Sequence, residues 1–428
     1  MSSYLRVLRY RDFRLLFLGQ AASVLGDRVV VVAVALFVTQ RTRSPTDLGF
    51  VLAGQALPLV ALLLIGGVWA DRLPRQQIMI ATDLARAGLH VLLAVLILTG
   101  AVRIWEIVAI EACFGAAQAF FQPAYTGLVP QTVPEELIQD AKALTETTAN
   151  LAFLIGPALA TVLVLTIGAG EAFVFDAATF VLSAWLLLGV RPRPRGPALA
   201  QSSVLQELRA GWREVRSRSW VWATIAAFTG AVLCVFAQWY ALAPSVSRTL
   251  YGSVGVFGAL ESAAGVGALV GALAGLRWRP AHPLRTGLLM VLAWPAQNAV
   301  FALDAPLVLV LAGALATGFA FSLLMIWWET ALAQHIPPHA LSRVSAYDWM
   351  GSLALVPVGF LAAGPLAAAL GARTVLLAGS VIGAGVLVLA LLPRATRELS
   401  ISPAPAPAPA PSPEPEPAPP PAPDWAVR

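Results

Sequence analysis

Apolar runs of roughly 20 to 30 residues, each closed by charge, proline or glycine, follow one another along most of the chain. A helix of about that length crosses the roughly 30 Å hydrocarbon core of a bilayer. Twelve such spans are read at 13–39, 47–69, 76–99, 103–125, 137–166, 168–190, 219–245, 253–276, 284–303, 306–330, 341–368 and 371–392. The most abrupt interruption is Gly67 to Arg75, Gly-Val-Trp-Ala-Asp-Arg-Leu-Pro-Arg, a charged turn between the second and third spans.

The pattern divides the chain. Residues 1–190 carry six spans, 191–218 form a polar linker, 219–395 carry six more, and 396–428 are rich in Pro and Ala. In the linker, Ser203 and Gln206 suit a capping box, and Val204, Leu208, Trp212 and Val215 share one helical face away from Arg209, Arg213 and Arg216. That arrangement suits a helix lying at an anionic membrane surface. The tail from Ser402 to Pro423 has little to bury and is expected to be disordered and extended.

The two halves echo each other. Gly67 and Arg75 recur as Gly271 and Arg279, Val133-Pro134 as Ile336-Pro337, and Gly156-Pro157 as Gly364-Pro365, at offsets of 204, 203 and 208. Three matches at nearly one offset argue for a duplicated six-helix unit, as in large secondary transporters. Asp71 has no partner in the second copy, where Gly275 stands.

Composition narrows the function. Hydrophobic residues make up 58% and charged residues 12% of the 428, which is far from a soluble enzyme. The net charge of +5 comes from arginines beside the apolar runs, not from a nucleic-acid-binding patch. Of the 28 Lys and Arg, 21 fall at one side and 5 at the other, with Arg28 and Arg86 left deep in the spans, which puts both termini in the cytoplasm of a plasma-membrane protein. Cys113 and Cys234 lie in apolar segments and give no disulfide framework. The only lysine, Lys142, is not in a P-loop, and His90, His282, His335 and His339 are too scattered for a metal site. No catalytic set converges, no cofactor is expected, and movement of a solute through the bilayer remains.

Gly67-x-x-x-Asp71-Arg72-x-x-Arg75 resembles the loop signature of the major facilitator superfamily. Gly19-Gln20, Leu25-Gly26-Asp27-Arg28, Phe175-Asp176-Ala177-Ala178-Thr179-Phe180, Gly211-Trp212-Arg213-Glu214-Val215 and Leu341 to Asp348 resemble its drug:proton antiporter branch of macrolide and siderophore exporters. The resemblance covers about residues 4 to 395. It implies an all-α integral membrane fold of twelve helices in two pseudo-symmetric six-helix bundles, rocking about a central cavity that opens alternately to each side. Gln76 stands where the signature usually has a second arginine.

These readings yield candidate residues. Gly67, Asp71, Arg72 and Arg75 form an expected cytoplasmic gate, with Asp348 and Glu146 as acids for the arginines to pair with; fixing topology and binding lipid phosphate is the simpler role. Charges inside spans are costly and usually used. Asp27 and Glu111, mid-span, are the candidates for proton coupling, since a carboxyl in apolar surroundings can load and release a proton. Arg28 cannot pair with Asp27 on one helical face, and Asp83 and Arg86, at i and i+3, can neutralise each other.

Gln55, Gln118, Gln122, Asn150, Gln238 and Trp327 mark a search region for a substrate cavity, although such a group is more often an interhelical hydrogen bond or an interfacial aromatic. Gly156-Pro157 looks like the Gly-Pro core of the family's antiporter signature, and close packing with a kink is an equal account. The expected function is proton-coupled efflux of an amphipathic drug, siderophore or secondary metabolite by a monomer, with the proton gradient as energy source. An importer or facilitator of the same fold, or a non-transporting membrane interaction protein, stays open.

Overall fold

The computed structural model describes residues 3–193, 204–275 and 277–401, and the described residues are helical with short connections. Ser203 and the Pro/Ala-rich tail lie outside them, as do the side chains of residues 204–208 and of Asp71. In the first half, α1 (Arg11–Thr42), α2 (Pro45–Arg72), α3 (Arg75–Leu98), α4 (Ile104–Leu128), α5 (Ile138–Thr166) and α6 (Ala169–Leu188) follow the first six spans. Then α7 (Val204–Ser217) occupies the linker. A further span runs through α8 (Ser219–Ala231), a π-helical turn (Val232–Phe236) and α9 (Ala237–Tyr251).

The second half continues with α10 (Gly255–Gly275), α11 (Pro283–Met290), α12 (Ala293–Ala302), α13 (Leu307–His335), α14 (Pro338–Ala354), α15 (Val356–Leu370) and α16 (Ala372–Leu389), followed by the short α17 (Arg394–Glu398). Among the described residues, eleven helices are long and apolar enough to cross a membrane. The expected span at 284–303 is instead the pair α11 and α12, broken at Val291 and Leu292. Pro295 accounts for the break: it has no N–H for the Val291 carbonyl, and its ring crowds that carbonyl, so the helix cannot run through.

Duplication is visible in the packing. The two most extensive helix pairs are α2 with α4 and α10 with α13, which hold equivalent places in the halves. Both are held close by glycines against backbone: Gly66 faces the Ala119 carbonyl and Gly115 that of Gln55, while Gly271 faces Phe319 and Gly318 faces Ala264. A side chain at any of these positions would hold the helices apart, and small residues at interfaces are the membrane's means of bringing backbones together.

The halves meet unevenly. Contacts between them run through α2 with α15 and α5 with α10. They are built from Gly49 against Phe360, Gly364 against Thr46, Gly258 against Thr161 and Gly265 against Leu154. These positions lie from mid-membrane outward on the face away from the termini, where one apolar core joins both halves from Val29 to Leu376. On the terminus-bearing face the cores are separate: one spans Val7 to Val190 of the first half, and another Val215 to Val344 of the second. The molecule is thus closed on one face and open towards the other.

Near that open side, α7 rests on α14. Gly211 lies against Tyr347, the Trp212 ring is 5.8 Å from that of Tyr347, and Val215 is buried, while Arg209, Arg213 and Arg216 point to solvent. Of the expected apolar face, Val215 is buried and Trp212 is half exposed.

Candidate functional site: a charged cluster behind an open cavity

Between the halves lies a cavity of about 360 Å³, lined mainly by α1, α2, α4 and α5, with Trp349 of α14 contributing from the second half. Its walls carry Phe17, Phe121, Tyr125 and Trp349 beside the amides of Gln20, Gln55, Gln118 and Gln122. Asp27, Arg28, Arg86, Glu111 and Glu146 supply charge. Apolar walls with a few polar groups suit an amphipathic solute.

Behind the wall is a polar cluster. Asp83, Arg86 and His90, spaced i, i+3 and i+7, share the buried face of α3. Arg86 donates to Asp83 through Nη2 at 2.5 Å, and its Nη1 lies 3.9 Å from Asp27 Oδ2. The guanidinium is sandwiched between rings, with Cζ 4.1 Å from the centroid of Phe121 and 4.2 Å from that of Phe180. Stacking of this kind on desolvated aromatic faces holds a buried arginine in one place.

One helical turn further, His90 Nδ1 is 2.5 Å from Asp176 Oδ2, and its ring lies parallel to Phe114 at 4.4 Å. Thr179 donates to the Asp176 backbone carbonyl at 2.7 Å. Gly26 allows α1 to press against the Asp176 carboxyl, and Gly19 does the same at Ser183. Glu111, 2% exposed, faces this group from α4, with Oε1 free of a hydrogen-bond partner, as is His90 Nε2. Four carboxyl groups are thus gathered around one arginine and one histidine.

The structure sorts the candidate residues. Asp27 and Glu111 come together at the cavity, and Arg86, not Arg28, is the cation beside Asp27. Arg86 also engages Asp83 as the i, i+3 spacing implied, so it serves two acids. Gln55, Gln118 and Gln122 line the cavity. Asn150, Gln238 and Trp327 do not. Asn150 is exposed beside the lining residue Ala149. Gln238 is tied to the Gly359 carbonyl at 3.3 Å, and buried Trp327 packs edge-on against Trp278. For Gln238 the interhelical role is the one the structure displays.

At the charged turn, the following contacts among the described residues lie within each half rather than across the halves. Arg75 donates to the Gly127 carbonyl at 2.5 Å, at the end of α4, and Arg72 is exposed. Asp348 accepts from Trp328 Nε1 at 2.9 Å, and Glu146 faces the cavity. A face that stands open cannot bring groups of opposite halves together. Gln76 donates instead to the Leu187 and Val190 carbonyls at 2.6 and 2.8 Å, tying α3 to the end of α6. A side chain on Gly67 would meet nothing within 4 Å, whereas Gly66 is the glycine packed against backbone. Gly156 allows α5 to close on the Arg28 side chain, and Pro157 lies inside α5.

His90 and Asp176 were missed as site residues because His90 was weighed as a metal ligand and Asp176 was read as lying nearer a span end, although it stands as far into 168–190 as Glu111 does into 103–125. The available signal was the shared α3 face of residues 83, 86 and 90, a polar stripe across an otherwise apolar helix.

A closed seal on one face, a cavity open to the other and two glycine-stitched halves define a membrane transporter of the major facilitator type. Solved structures agree on the fold: the inward-facing, occupied form of a bacterial homologue of the lysosomal transporter Spinster superposes with a TM-score of 0.66 at 18% identity, covering 92% of this chain and 99% of its own. The nucleoside transporter NupG superposes with a TM-score of 0.67 at 13% identity, over 90% of this chain and 98% of its own.

The chain belongs to the transmembrane secretion effector family, whose model matches residues 2–410. Among its relatives, the multidrug efflux pump Tap of Mycolicibacterium fortuitum is 29% identical over 88% of this chain and 94% of its own length. The uncharacterized transporter YfiS of Bacillus subtilis is 29% identical over 47% of this chain, a match that spans only 46% of that relative. The enterobactin exporter EntS of Citrobacter koseri is 29% identical over 66% of each chain. The protein is therefore a multi-pass membrane transporter and not an enzyme.

Proposed function

We propose that this chain exports an amphipathic small molecule in exchange for protons, with both termini in the cytoplasm of a bacterial plasma membrane. The observation that carries the reading is the cluster of Asp27, Asp83, Glu111 and Asp176 around Arg86 and His90. Charging all four carboxyls against one or two cations in a dry core is too costly, so the cluster has to hold protons and share them. Asp27 is partly exposed on the cavity wall, where Glu111 and Arg86 also lie, and Asp83, Asp176 and His90 stand behind them. Closure of the open face would remove water from the cavity and favour the protonated state; opening would restore it. Coupling of this kind needs only that the two conformations differ in their affinity for the proton.

The Gly67–Arg75 turn fits a gate on the open face. In the alternate state Arg72 and Asp348 would approach each other across the halves as the opposite seal parts. The arginine excess on the terminus-bearing face supports a cytoplasmic opening, and the similarity to the efflux pump Tap supports the export direction.

The test uses everted membrane vesicles holding a respiration-driven pH gradient reported by acridine orange. A macrolide, a tetracycline or a catecholate siderophore should release the quench, and neither Asp27→Asn nor Glu111→Gln should respond. Uptake of a solute at the normal rate in both variants, or without a gradient, would overturn proton coupling.

A further inference from the structure

Arg28 stands apart from the cluster beside it. It lines the cavity, its side chain is exposed there, and its Cζ lies 5.2 Å from the centre of the Phe153 ring. Neither a hydrogen bond nor an ion pair joins it to any described residue. An arginine in mid-span costs roughly 3 kcal/mol or more unless it faces water and is used. Its position is nonetheless built: Gly156 is open to it, so that α5 closes directly on the Arg28 side chain.

The other charges around it are accounted for. Arg86 from α3 is held by Asp83 and lies near Asp27, and Glu111 from α4 sits with the cluster. Glu146 from α5 is exposed on the cavity wall. Across the halves, Glu261 of α10 lies within the field of Arg28. Both its oxygens are occupied, however, by Trp239 Nε1 and Tyr240 OH, each at 2.7 Å. It is a buried acid satisfied within its own half.

We infer that Arg28 binds an anionic group of the transported solute, so that the cavity selects amphipathic anions whose apolar body rests on Phe17, Phe121 and Trp349. A planar guanidinium with free donors matches a carboxylate, sulfonate or deprotonated catechol, and a charge-assisted hydrogen bond is stronger than one between neutral groups. The inference rests on the transport reading only in taking the ligand of the cavity to be its cargo.

Binding of three fluorescent probes to the purified full chain in detergent tests it without transport: dansylglycine, its neutral amide, and dansylcadaverine, which carries an ammonium. Dansylglycine should bind the unaltered protein about tenfold more tightly than the amide, the lower end of what a hydrogen bond to a charged group contributes. Arg28→Gln should bring the two to equal affinity, and Arg28→Lys should retain part of the preference. Equal affinities in the unaltered protein, failure of all three to bind, or a preference that survives Arg28→Gln would overturn the inference. Loss of the preference in Glu261→Gln as well would reassign Arg28 to an electrostatic link between the halves. An anion preference that stands while efflux proves independent of the gradient would sink the proton-coupling reading and leave this one intact.

Discussion

Gly66 and Gly67 are neighbours on α2, yet the structure gives them opposite consequences. A Cβ on Gly66 would come within 2.8 Å of the Ala119 carbonyl carbon and 3.0 Å of Phe120 Cα, both backbone atoms of α4. On Gly67 it would meet nothing within 4 Å. The backbone of α4 cannot step aside without loosening one of the two most extensive helix pairs in the molecule. Gly66→Val should therefore cost about 3 kcal/mol, the upper part of the range for overpacking, against a gain of roughly 0.4 kcal/mol for replacing glycine in a helix. Gly67→Val has only the gain. With an unfolding entropy of about 2.1 cal/mol/K per residue, 428 residues convert these into a fall of roughly 2 to 3 °C in Tm for Gly66→Val and no fall for Gly67→Val. Intrinsic tryptophan fluorescence on heating reads both, at one scan rate because unfolding of such a protein is kinetic. The gate reading adds a second expectation: Gly67→Val should lose most efflux while melting like the unaltered protein, because the added methyls would obstruct closure of the open face. Equal melting of the two variants would refute the packing argument, and normal efflux by Gly67→Val would refute the gate.

Two further outcomes follow from the same packing. Arg86→Gln should destabilise the chain by about 3–5 kcal/mol, since it leaves Asp83 and Asp27 without their buried cation; a melting temperature within error of the unaltered protein would show the cluster to be uncoupled from stability. Pro295→Ala should let α11 and α12 join into one helix, and hydrogen exchange at residues 291–295 should slow by at least tenfold; unchanged exchange would mean that something other than the proline holds the break open.

The fold was legible because its physical cause is crude and repeated. Bilayer thickness sets span length, and a glycine-spaced duplication marks equivalent helices, so apolar runs and the offsets of Gly67 and Gly156 sufficed. Pro295 could have been read in the same way, and overlooking its effect produced one continuous span where there are two helices. The site was half legible. Depth along a span singled out Asp27 and Glu111, but depth is a property of one helix, whereas the cluster depends on which faces of α1, α3, α4 and α6 turn towards one another. Asp176, as far into its expected span as Glu111 is into its own, is brought under Gly26 by the α1–α6 packing, and no pattern within α6 announces that. Gln238 and Trp327 failed as cavity residues for the same reason, because polarity in a span does not say which neighbour it serves.

The placement of charge bears on how the two halves would communicate. Every acid of the cluster belongs to the first half, and so do Arg86 and His90. A proton arriving at Asp27 therefore changes no ion pair across the interface. What crosses the interface is the glycine-lined seal, where α15 and α10 lie directly on α2 and α5. On the proposed proton exchange, coupling would then run through shape and water: movement of the halves would alter the wetting around Asp27 and Glu111, and their protonation would alter which wetting is favoured. Arg28 stands on the turn of α1 that carries Asp27 and packs against α5, one of the four helices that form the seal. A solute anion bound to Arg28 would add charge next to Asp27 and favour its protonated form, and release of the anion would favour release of the proton. Exchange in opposite directions requires the reverse, that each ligand favour a different conformation. An anion at Arg28 is thus compatible with proton exchange only if Arg28 and Asp27 separate their occupancy by conformation, which makes the position of the Arg28 side chain in the alternate state the decisive geometric quantity.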